Sequence, residues 1–527
     1  MFKIALIIGI YAYSIFALGF LSLLTPASIL ILTLIFIIAV CISYKNKINL
    51  NKISLGKFKS IDKLIIILIF IQAIINLIGA LGPEISFDSL WYHLTFPKLY
   101  LINHAIVYVP GGLLYYSTIP KLTELIYTAE LAFGNEILPK LTHFSFGILI
   151  CIALYKISRK YLNQTFSLLV VLLFYSNLVV DWESMTAYID LARTFFELMA
   201  LWGFLDFLKF KKEKSLIISA VMLGLAISTK LTSMATIPIY IVLIFMQKIQ
   251  TKDKIKESVI FSIIAVFIVS PWLIFSFIHT GNPVYPLISN YNTGQGKFLL
   301  SPIYFIKSLF SLFTKSSDPV SPFYIIIFPL ILFYFKKLFK SDIRPILIFS
   351  TLSLLIWYVS PQAGEARYFL PFLPPLSLVS IYLVKTLGSK YARNYLIILL
   401  VFLAIVSIGY RAIANKKFIP VVFGSESKAT FLTNNLNFSY GDFYDTDGYF
   451  KTHLKPSDTV LLYGFHNLYY IDFNFIDSSW VKKGDMFDYI ATQNTTLPSR
   501  FSFWKLVYYN SKTHVRLYST GGTTWVY

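Results

Sequence analysis

The sequence predicts an all-α polytopic membrane protein that carries a small α/β domain at its C-terminal end. Apolar residues make up 56% of the 527 positions. They recur in runs of about 17 to 24 residues, the length that crosses the hydrocarbon core of a bilayer. The tail from about residue 412 onward is polar instead, and its apolar residues follow a different period. The chain is therefore expected to combine a membrane bundle with a smaller domain outside the lipid.

The apolar runs predict about thirteen crossings, each by one helix. The runs cover residues 4–24, 28–43, 64–82, 137–155, 165–180, 185–208, 215–229, 232–247, 259–278, 321–335, 345–360, 368–384 and 395–411. The first run has the charged start of a signal peptide, but no small-residue cleavage site stands out before Pro26, so we interpret it as a retained helix. Cys41 and Cys151 both fall in such runs, and the tail must fold without a disulfide.

The formal net charge of +20 is explained by where the basic residues lie. If the N-terminus is cytoplasmic, almost the whole excess falls into short inner segments, as the positive-inside rule requires. These segments are 45–63, 156–160, 209–214, 248–256, 336–344 and 385–393. Membrane lipid is therefore the expected partner of these charges, and nucleic acid is not. An odd number of crossings then leaves the C-terminus outside.

This topology divides the chain into a transmembrane domain, 1–411, and an extracytoplasmic α/β domain, 412–527. Two outer loops are long, at 83–136 and 279–320, and long ordered loops tend to carry function. In the first loop the spacing predicts an amphipathic helix on the outer membrane surface, capped at 117–118, with Lys121, Glu124 and Glu130 on its polar face. In the second, 290–296 is expected to be flexible. The tail predicts strands at 458–464, 468–473 and 515–518.

The first outer loop contains the first group of candidate site residues. Glu84 and Asp88 are four residues apart, so a helix would place both carboxylates on one face. Trp91, Tyr92 and His93 fill the next turn. Such a cluster at a membrane exit is suited to a polar substrate that is held beside lipid.

A second group of charged residues is predicted at the outer ends of later spans. Asp181, Glu183 and Asp190 lie between the fifth and sixth runs, Lys230 ends the seventh, and Arg367 begins the twelfth. Unpaired charge is costly near membrane depth, so such residues usually have partners or a function. Carboxylates and cations that converge on one side could hold a hydroxyl nucleophile and an anionic leaving group.

Local pairs are expected on the sixth span as well. Asp190 and Arg193 are three apart and are predicted to pair, which would keep Asp190 ionised. Arg193 and Glu197, four apart, are predicted to form a structural pair inside the membrane.

Each candidate also has a plainer interpretation. Asp88 has the position of a capping or turn aspartate, and Glu84 and Glu183 could be solvated loop acids. His93 is more typical of a packed histidine than of a ligand, because no zinc spacing is present. Lys230 could simply extend its amine to the membrane interface.

Several segments of the chain resemble the GT-C-fold glycosyltransferases that depend on lipid carriers, close to the protein mannosyltransferase and aminoarabinose transferase group. The similarity is carried by Phe87-Asp88-Ser89-Leu90-Trp91-Tyr92-His93-Leu94, Pro97-Lys98-Leu99-Tyr100, Ala187-Tyr188-Ile189-Asp190-Leu191-Ala192, Thr229-Lys230, Thr280-Gly281-Asn282-Pro283-Val284-Tyr285-Pro286 and Arg367-Tyr368-Phe369-Leu370-Pro371. The order of these segments, with the topology and the outer domain, is more specific than any one of them.

The resemblance implies a sugar donor on a polyprenyl phosphate or diphosphate and an inverting transfer at the outer face of the cytoplasmic membrane. Asp88 would act as general base, which is worth roughly 10² to 10⁴ in rate. Asp190 would bind substrate hydroxyls, and Lys230 and Arg367 would neutralise the departing phosphate. No cofactor is predicted beyond the lipid-linked donor. A divalent ion on Asp88 with Asp181 or Glu183 is conceivable, but the first loop lacks an Asp-x-Asp pair.

Two other functions are compatible with the sequence. One is an oligosaccharide ligase or polymerase that uses a polyprenyl-diphosphate glycan. The other is a lipid or polysaccharide transporter, although transporters often contain inverted repeats with broken helices, and neither is evident here. The sequence leaves open which sugar is moved and whether the acceptor is a glycan, a lipid or a protein.

Overall fold

The computed structural model describes residues 1–44, 58–287, 301–359 and 365–527, and the chain is mostly helical. Four sequence predictions lie partly or wholly outside these ranges. They are the flexible segment 290–296, the middle of the long loop 279–320, most of the basic segment 45–63, and the end of the run 345–360.

Helices overlap every predicted apolar run within the described ranges, although the run 165–180 is divided between two helices and the run 185–208 is helical only from Asp190. Their bounds are α1 Phe2–Phe20, α2 Pro26–Tyr44, α3 Ser60–Leu81, α4 Thr95–Asn103, α5 Leu122–Leu131, α6 Ile137–Ser158, α7 Gln164–Tyr175, α8 Leu178–Glu183, α9 Asp190–Phe210, α10 Glu213–Thr229, α11 Ile237–Phe245, α12 Thr251–Thr280, α13 Pro302–Thr314, α14 Phe323–Phe333, α15 Phe335–Phe339, α16 Arg344–Val359, α17 Ala366–Phe369, α18 Leu373–Thr386, α19 Lys390–Asn415, α20 Ile419–Val422, α21 Lys428–Asn435 and α22 Tyr449–His453. A short π-helix spans Ser89–His93, and the longer 3₁₀ helices are Gly112–Thr118 and Leu231–Thr236.

Six stretches of the described chain are long and apolar enough to cross a membrane. They are Phe2–Phe20, Ser60–Leu81, Ile137–Ser158, Thr251–Thr280, Ala366–Thr386 and Lys390–Val422. Shorter apolar helices accompany them, among them Gln164–Tyr175 and Arg344–Val359. The chain is thus an integral multi-pass membrane protein, whereas the number of crossings and their direction stay predictions.

Helix α9 lies at the centre of the bundle. Nearly all of its side chains are buried, and it packs against α6 and α10, while α10 packs against α12. Large apolar side chains on helices at the periphery of the bundle are exposed instead, as at Ile67, Phe267 and Ile398 (53%, 72% and 68%). Exposed apolar side chains of this kind are what lipid contact requires. Asp190 begins α9, where the partial positive charge of a helix N-terminus favours a carboxylate.

The C-terminal domain is built on a mixed five-stranded sheet with strand order β2-β1-β4-β6-β5. Strand β1 is parallel to β2 and β4, whereas β6 is antiparallel to β4 and β5. The strands, including a separate β3-β7 pair, are β1 Thr459–Tyr463, β2 Asn474–Asp477, β3 Met486–Phe487, β4 Tyr489–Gln493, β5 Lys505–Asn510, β6 Val515–Ser519 and β7 Trp525–Val526. Together with the helical bundle, this sheet confirms the predicted fold class.

Strands β1 and β6 agree with the sequence predictions for 458–464 and 515–518. Gly464 ends β1 with a φ of +79°, and a Cβ there would lie 2.1 Å from the Gln493 carbonyl oxygen, so only glycine fits. The predicted strand 468–473 is wrong. This segment is irregular because its backbone binds the first outer loop: the Tyr469 amide donates to the Leu90 carbonyl at 3.3 Å.

The amphipathic helix predicted in the first outer loop exists as α5, but its placement on the membrane surface is wrong. Residues 122–129 are all buried, and so are Lys121 and Glu124. Glu124 Oε1 lies 2.8 Å from His93 Nδ1, and the Lys121 amine donates to the carbonyls of Tyr116 and Ile119. Lys121 and Glu124 on the polar side of α5 thus contact protein groups and do not face water.

Candidate active site

Asp88 stands at the entrance of the short π-helix that follows α3. The wide π turn closes with the Leu94 amide donating to the Ser89 carbonyl at 2.9 Å. This turn brings the Tyr92 hydroxyl back to Asp88 Oδ2, to which it donates at 3.0 Å. The Asp88 side chain keeps 18% of its surface exposed, so a substrate can reach it. Single π turns of this kind are frequent at functional sites.

Arg367 joins Asp88 to the second group of charged residues. Its Nη1 donates to Asp88 Oδ2 at 2.5 Å, and its Nε donates to Asp190 Oδ2 at 3.0 Å. Lys230 Nζ donates to the other oxygen of Asp190 at 2.6 Å. Four of the predicted site residues, from four separate parts of the chain, therefore form one row of ion pairs in the order Asp88, Arg367, Asp190, Lys230.

The ionisation of Asp88 is governed by this row. Burial alone would raise the pKa of its carboxyl, but the Arg367 guanidinium, the neighbouring His93 and the Tyr92 hydroxyl together hold the pKa below its usual range. Asp88 is accordingly a carboxylate near neutral pH. Its second oxygen, Oδ1, accepts no hydrogen bond within the described part of the chain.

Asp190 is placed differently from what the sequence predicted. Its side chain is completely buried, and both oxygens are occupied by Lys230 and Arg367. The predicted pair with Arg193 is not formed. Arg193 Nε instead donates to Glu197 Oε1 at 2.8 Å, which is the expected intramembrane pair, and to Ser233 Oγ at 2.9 Å. The structure favours Asp190 as the group that positions the two cations, and it does not favour a direct contact with substrate hydroxyls.

Aromatic rings hold the cations in place. The Arg367 guanidinium lies 4.4 Å from the ring centroid of Tyr188, and the Lys230 amine lies 5.1 Å from that of Tyr368. The Tyr188 hydroxyl also accepts a hydrogen bond from the Asp88 amide at 3.1 Å. Tyr188 therefore contacts both the carboxylate segment and the guanidinium.

Glu183 and His143 are buried next to the ion-pair row and contact the residues that form it or precede it. Glu183 is fully buried, its Oε1 lies 3.6 Å from Arg367 Nε, and burial together with the nearby Asp190 raises the pKa of its carboxyl well above the usual range. His143 donates from Nδ1 to the Glu183 and Thr186 carbonyls and accepts from the Leu191 amide at Nε2. These contacts fix the turn that delivers Asp190, so a direct substrate contact for Glu183 is not favoured.

Glu84 and Asp181 are also too enclosed for the substrate contacts predicted for them. Glu84 Oε1 accepts from the amides of residues 85 and 86, and Oε2 accepts from the Ala187 amide at 2.6 Å. The Glu84 carboxylate thus ties the first loop to the turn before α9. Asp181 is fully buried, and its Oδ1 accepts a hydrogen bond from the side-chain amide of Asn76 at 3.4 Å.

His93 and Tyr92 complete the predicted set. His93 is buried against Glu124, which matches the plainer interpretation of a packed histidine. Tyr92 reaches the site only through the bond of its hydroxyl to Asp88. Among the residues that the structure describes, no three of His, Cys, Asp and Glu are grouped so that they could hold a metal ion.

Two cavities lie near these residues. One, of about 210 Å³, has Tyr368, Trp182 and Glu365 on its wall together with Arg367, its single lining residue from the ion-pair row. The other, of about 580 Å³, lies in the C-terminal domain between Tyr444, Lys451 and Asp472 and does not contact the row. Of these two cavities, the smaller one is the candidate for substrate binding, because Arg367 of the row lies on its wall.

The C-terminal domain is hydrogen-bonded to the loop that contains Asp88. Lys98 Nζ donates to the Tyr469 carbonyl at 2.8 Å and also to that of Ile471. The Tyr470 hydroxyl donates to the Glu84 carbonyl at 2.8 Å and to Glu136 Oε1 at 3.1 Å. Sequence reasoning missed these contacts and the role of Tyr188, although Lys98 and Tyr188 both stand inside the segments that carry the family resemblance.

Comparisons with known proteins agree with this architecture. Residues 130–275 match the sequence family described as dolichyl-phosphate-mannose-protein mannosyltransferase. Two crystal structures of ArnT from Cupriavidus metallidurans share the fold. The one bound to undecaprenyl phosphate has a TM-score of 0.55 and 11% identity, and the apo one has a TM-score of 0.56 and 12% identity. In both, the similarity covers 87% of this chain and 98% of ArnT. No curated protein matches the chain in sequence.

Fold and family match together define the class: the chain is a membrane glycosyltransferase of the GT-C class. Within that class it is similar to ArnT over nearly the whole length of that protein. The family resemblance predicted from the sequence is thus confirmed.

Proposed function

We propose that this protein transfers a sugar from a polyprenyl-phosphate donor to an acceptor at the extracytoplasmic face of the membrane, with inversion at the anomeric carbon. The observation that carries the proposal is the row Asp88, Arg367, Asp190, Lys230, in which a reachable carboxylate is joined to two fixed cations. Such a row supplies both chemical requirements of the reaction. One is a base for the acceptor hydroxyl, and the other is positive charge for the departing phosphate.

Asp88 is the proposed general base. Its Oδ1 has no partner within the described residues, and its low pKa keeps it ionised. A weakly basic carboxylate suits a glycosyl transfer because the hydroxyl proton need leave only late, when the new bond is largely formed. The acceptor hydroxyl would donate to Oδ1 while its oxygen attacks the anomeric carbon.

Arg367 and Lys230 are the proposed phosphate contacts. Arg367 lies on the wall of the 210 Å³ cavity, with 16% of its side chain exposed. Guanidinium matches two phosphate oxygens at once, and Lys230 adds a point charge. The ArnT structure was solved with undecaprenyl phosphate, which supports a carrier of this chemistry. Asp190, buried between the cations, holds them apart from each other and at fixed positions.

Three features support the outer face as the site of reaction. First, the Asp88 loop contacts the C-terminal domain. Second, the basic residues of the chain are concentrated in the segments predicted to be inside. Third, the ion-pair row lies at the helix ends next to the Asp88 loop. Sidedness is tested by a cysteine introduced in place of exposed Ser425 and probed in intact cells with a membrane-impermeant maleimide. Labelling only after lysis would contradict it.

The chemistry is tested with the purified full-length protein and synthetic undecaprenyl-phosphate sugars, with mass spectrometry to detect the glycosylated product. Asp88→Asn is expected to lower the rate by roughly 10² to 10⁴. Asp472→Asn is the matched control: Asp472 is 92% exposed, its ion pair with Lys98 at 3.5 Å is a weak surface pair, and the rate is expected to stay within twofold. An Asp88→Asn variant with full activity removes Asp88 from the mechanism. Activity with diphosphate-linked glycans alone would favour the ligase or polymerase instead.

A further inference from the structure

A group of aromatic rings lies directly beside Asp88 and is contributed by both domains. Phe87 and Trp91 flank Asp88 in sequence, and His466 of the C-terminal domain packs on both of them, with centroid distances of 4.6 Å and 4.7 Å. His466 stands in the irregular segment after β1, the same part of the chain that binds the first outer loop through Tyr469. The C-terminal domain thus reaches the immediate surroundings of the proposed base.

The rings are held in fixed positions. Trp91 Nε1 donates to the Leu113 carbonyl at 2.9 Å, which fixes the indole. Tyr116, on the 3₁₀ helix of the same loop, packs on Trp91 at 5.5 Å and on Tyr92 at 5.1 Å. His466 Nδ1 lies 3.0 Å from the Asn467 side-chain oxygen.

The same rings are only partly covered. Phe87 exposes 39% of its surface, and Trp91, Tyr116 and His466 are half-buried. Aromatic rings that stay partly exposed next to one another are typical of a binding surface. The Asp88 carboxylate, the Tyr116 hydroxyl and the His466 imidazole lie at these rings, so a ligand that fits there must combine an apolar face with a polar rim. A sugar ring has this chemistry, with C–H groups on its faces and hydroxyls on its edge, whereas a prenyl chain has no polar rim.

We propose that Phe87, Trp91 and His466 form a two-domain stacking surface for the sugar ring that reacts beside Asp88, with His466 as a positioning residue supplied by the C-terminal domain. This inference rests on the proposed function, because it assigns the surface to a substrate of the same transfer. The ring belongs either to the donor sugar or to a sugar of the acceptor, and the kinetic experiment separates these two sources.

Binding is tested first, with the purified full-length protein and saturation-transfer-difference NMR. The probes are the methyl α-glycosides of mannose, glucose and galactose. We expect transfer to ring C–H protons of at least one glycoside, its loss in His466→Ala, and its recovery in His466→Phe, which keeps an aromatic ring. The control His453→Ala removes a histidine of the same domain that stacks on Tyr449, away from the ion-pair row, and should bind as the wild type does. Absence of transfer to every glycoside overturns the surface.

Kinetics then separate the sources. His466→Ala is expected to raise KM for one substrate by roughly two- to tenfold, the effect of losing one aromatic contact. A raised KM for the donor assigns the ring to the donor sugar, and a raised KM for the acceptor assigns it to the acceptor. Unchanged values for both, in an active enzyme with unchanged thermal unfolding, overturn the surface but leave the proposed function intact. If the wild type transfers no sugar at all, the proposed function fails, and the NMR experiment still tests the surface.

Discussion

Replacing Arg367 by lysine tests whether the ion-pair row works as a connected unit. The guanidinium contacts Asp88 with Nη1 at 2.5 Å and Asp190 with Nε at 3.0 Å. A lysine keeps the positive charge, but its single nitrogen cannot reproduce the fork and can bond well to only one of the two carboxylates. The substitution therefore removes one bridge without removing the charge.

The magnitude follows from the contact that is lost. A hydrogen bond to a charged group contributes roughly 1.5 to 3 kcal/mol, and each 1.4 kcal/mol corresponds to about a tenfold change. If lysine keeps the buried Asp190, Asp88 loses the group that orients it. We then expect kcat/KM for sugar transfer to fall roughly 10- to 150-fold. The loss of contact with the Tyr188 ring, at 4.4 Å, adds to this in the same direction.

The assay is steady-state transfer from the undecaprenyl-phosphate donor by purified full-length protein, with thermal unfolding as the check on folding. The matched control is Arg500→Lys, because Arg500 also bridges two groups, the hydroxyls of Tyr463 and Tyr527, but lies in the C-terminal sheet. Arg500→Lys should stay within twofold of the wild type. If Arg367→Lys does so as well, Arg367 does not act as a bridge between Asp88 and Asp190, and the reasoning from the row is refuted.

Two further predictions concern pH. The pKa of Asp88 is held below its ordinary value of 3.8, so the ionised form persists to lower pH. The fall of kcat/KM at acid pH should therefore have its midpoint below 3.8, and this midpoint should move to higher pH in Arg367→Met. A midpoint that does not move would exclude Asp88 as the titrating group. Burial lowers the pKa of Lys121 from 10.5 to about 7, so between these values the unfolded chain binds a proton that the folded chain does not, and folding stability should rise with pH across that window. Thermal unfolding should show this rise in the wild type relative to Lys121→Met, and a pH-independent difference would contradict it.

Much of the bundle could be predicted from the sequence because lipid imposes a simple rule. A continuous run of apolar residues of the right length is expected to form a helix, since a helix satisfies all backbone groups within its own segment in the hydrocarbon. The rule does not say what a helix packs against, and for α5 the placement on the membrane surface predicted from its amphipathic periodicity is wrong. Its polar residues Lys121 and Glu124 find partners inside the protein, and the partner of Glu124, His93, is 31 residues away. Periodicity shows which residues share a face, but it does not show what covers that face.

The site was predictable as a region and not as a set of contacts. Charges at helix ends on one predicted side of the membrane identified Asp88, Asp190, Lys230 and Arg367 as candidates. The local spacing rule then paired Asp190 with Arg193, which is wrong, because two cations from 40 and 177 residues away occupy both of its oxygens. His466 carried no signal at all, since its contact with Phe87 depends on how the two domains meet.

The arrangement also constrains how mutations in the site will combine. Asp88 and Asp190 share one guanidinium, and Asp190 in turn bonds to Lys230, so the proposed base and the proposed phosphate contacts are linked through common partners. Residues that share a partner show coupling energies of roughly 0.5 to 3 kcal/mol in double-mutant cycles. Substitutions of Asp190 are therefore expected to impair both proton removal and phosphate binding, although its carboxylate is completely buried. Kinetics alone would therefore make Asp190 look like a catalytic group, whereas the geometry shows that it positions Arg367 and Lys230.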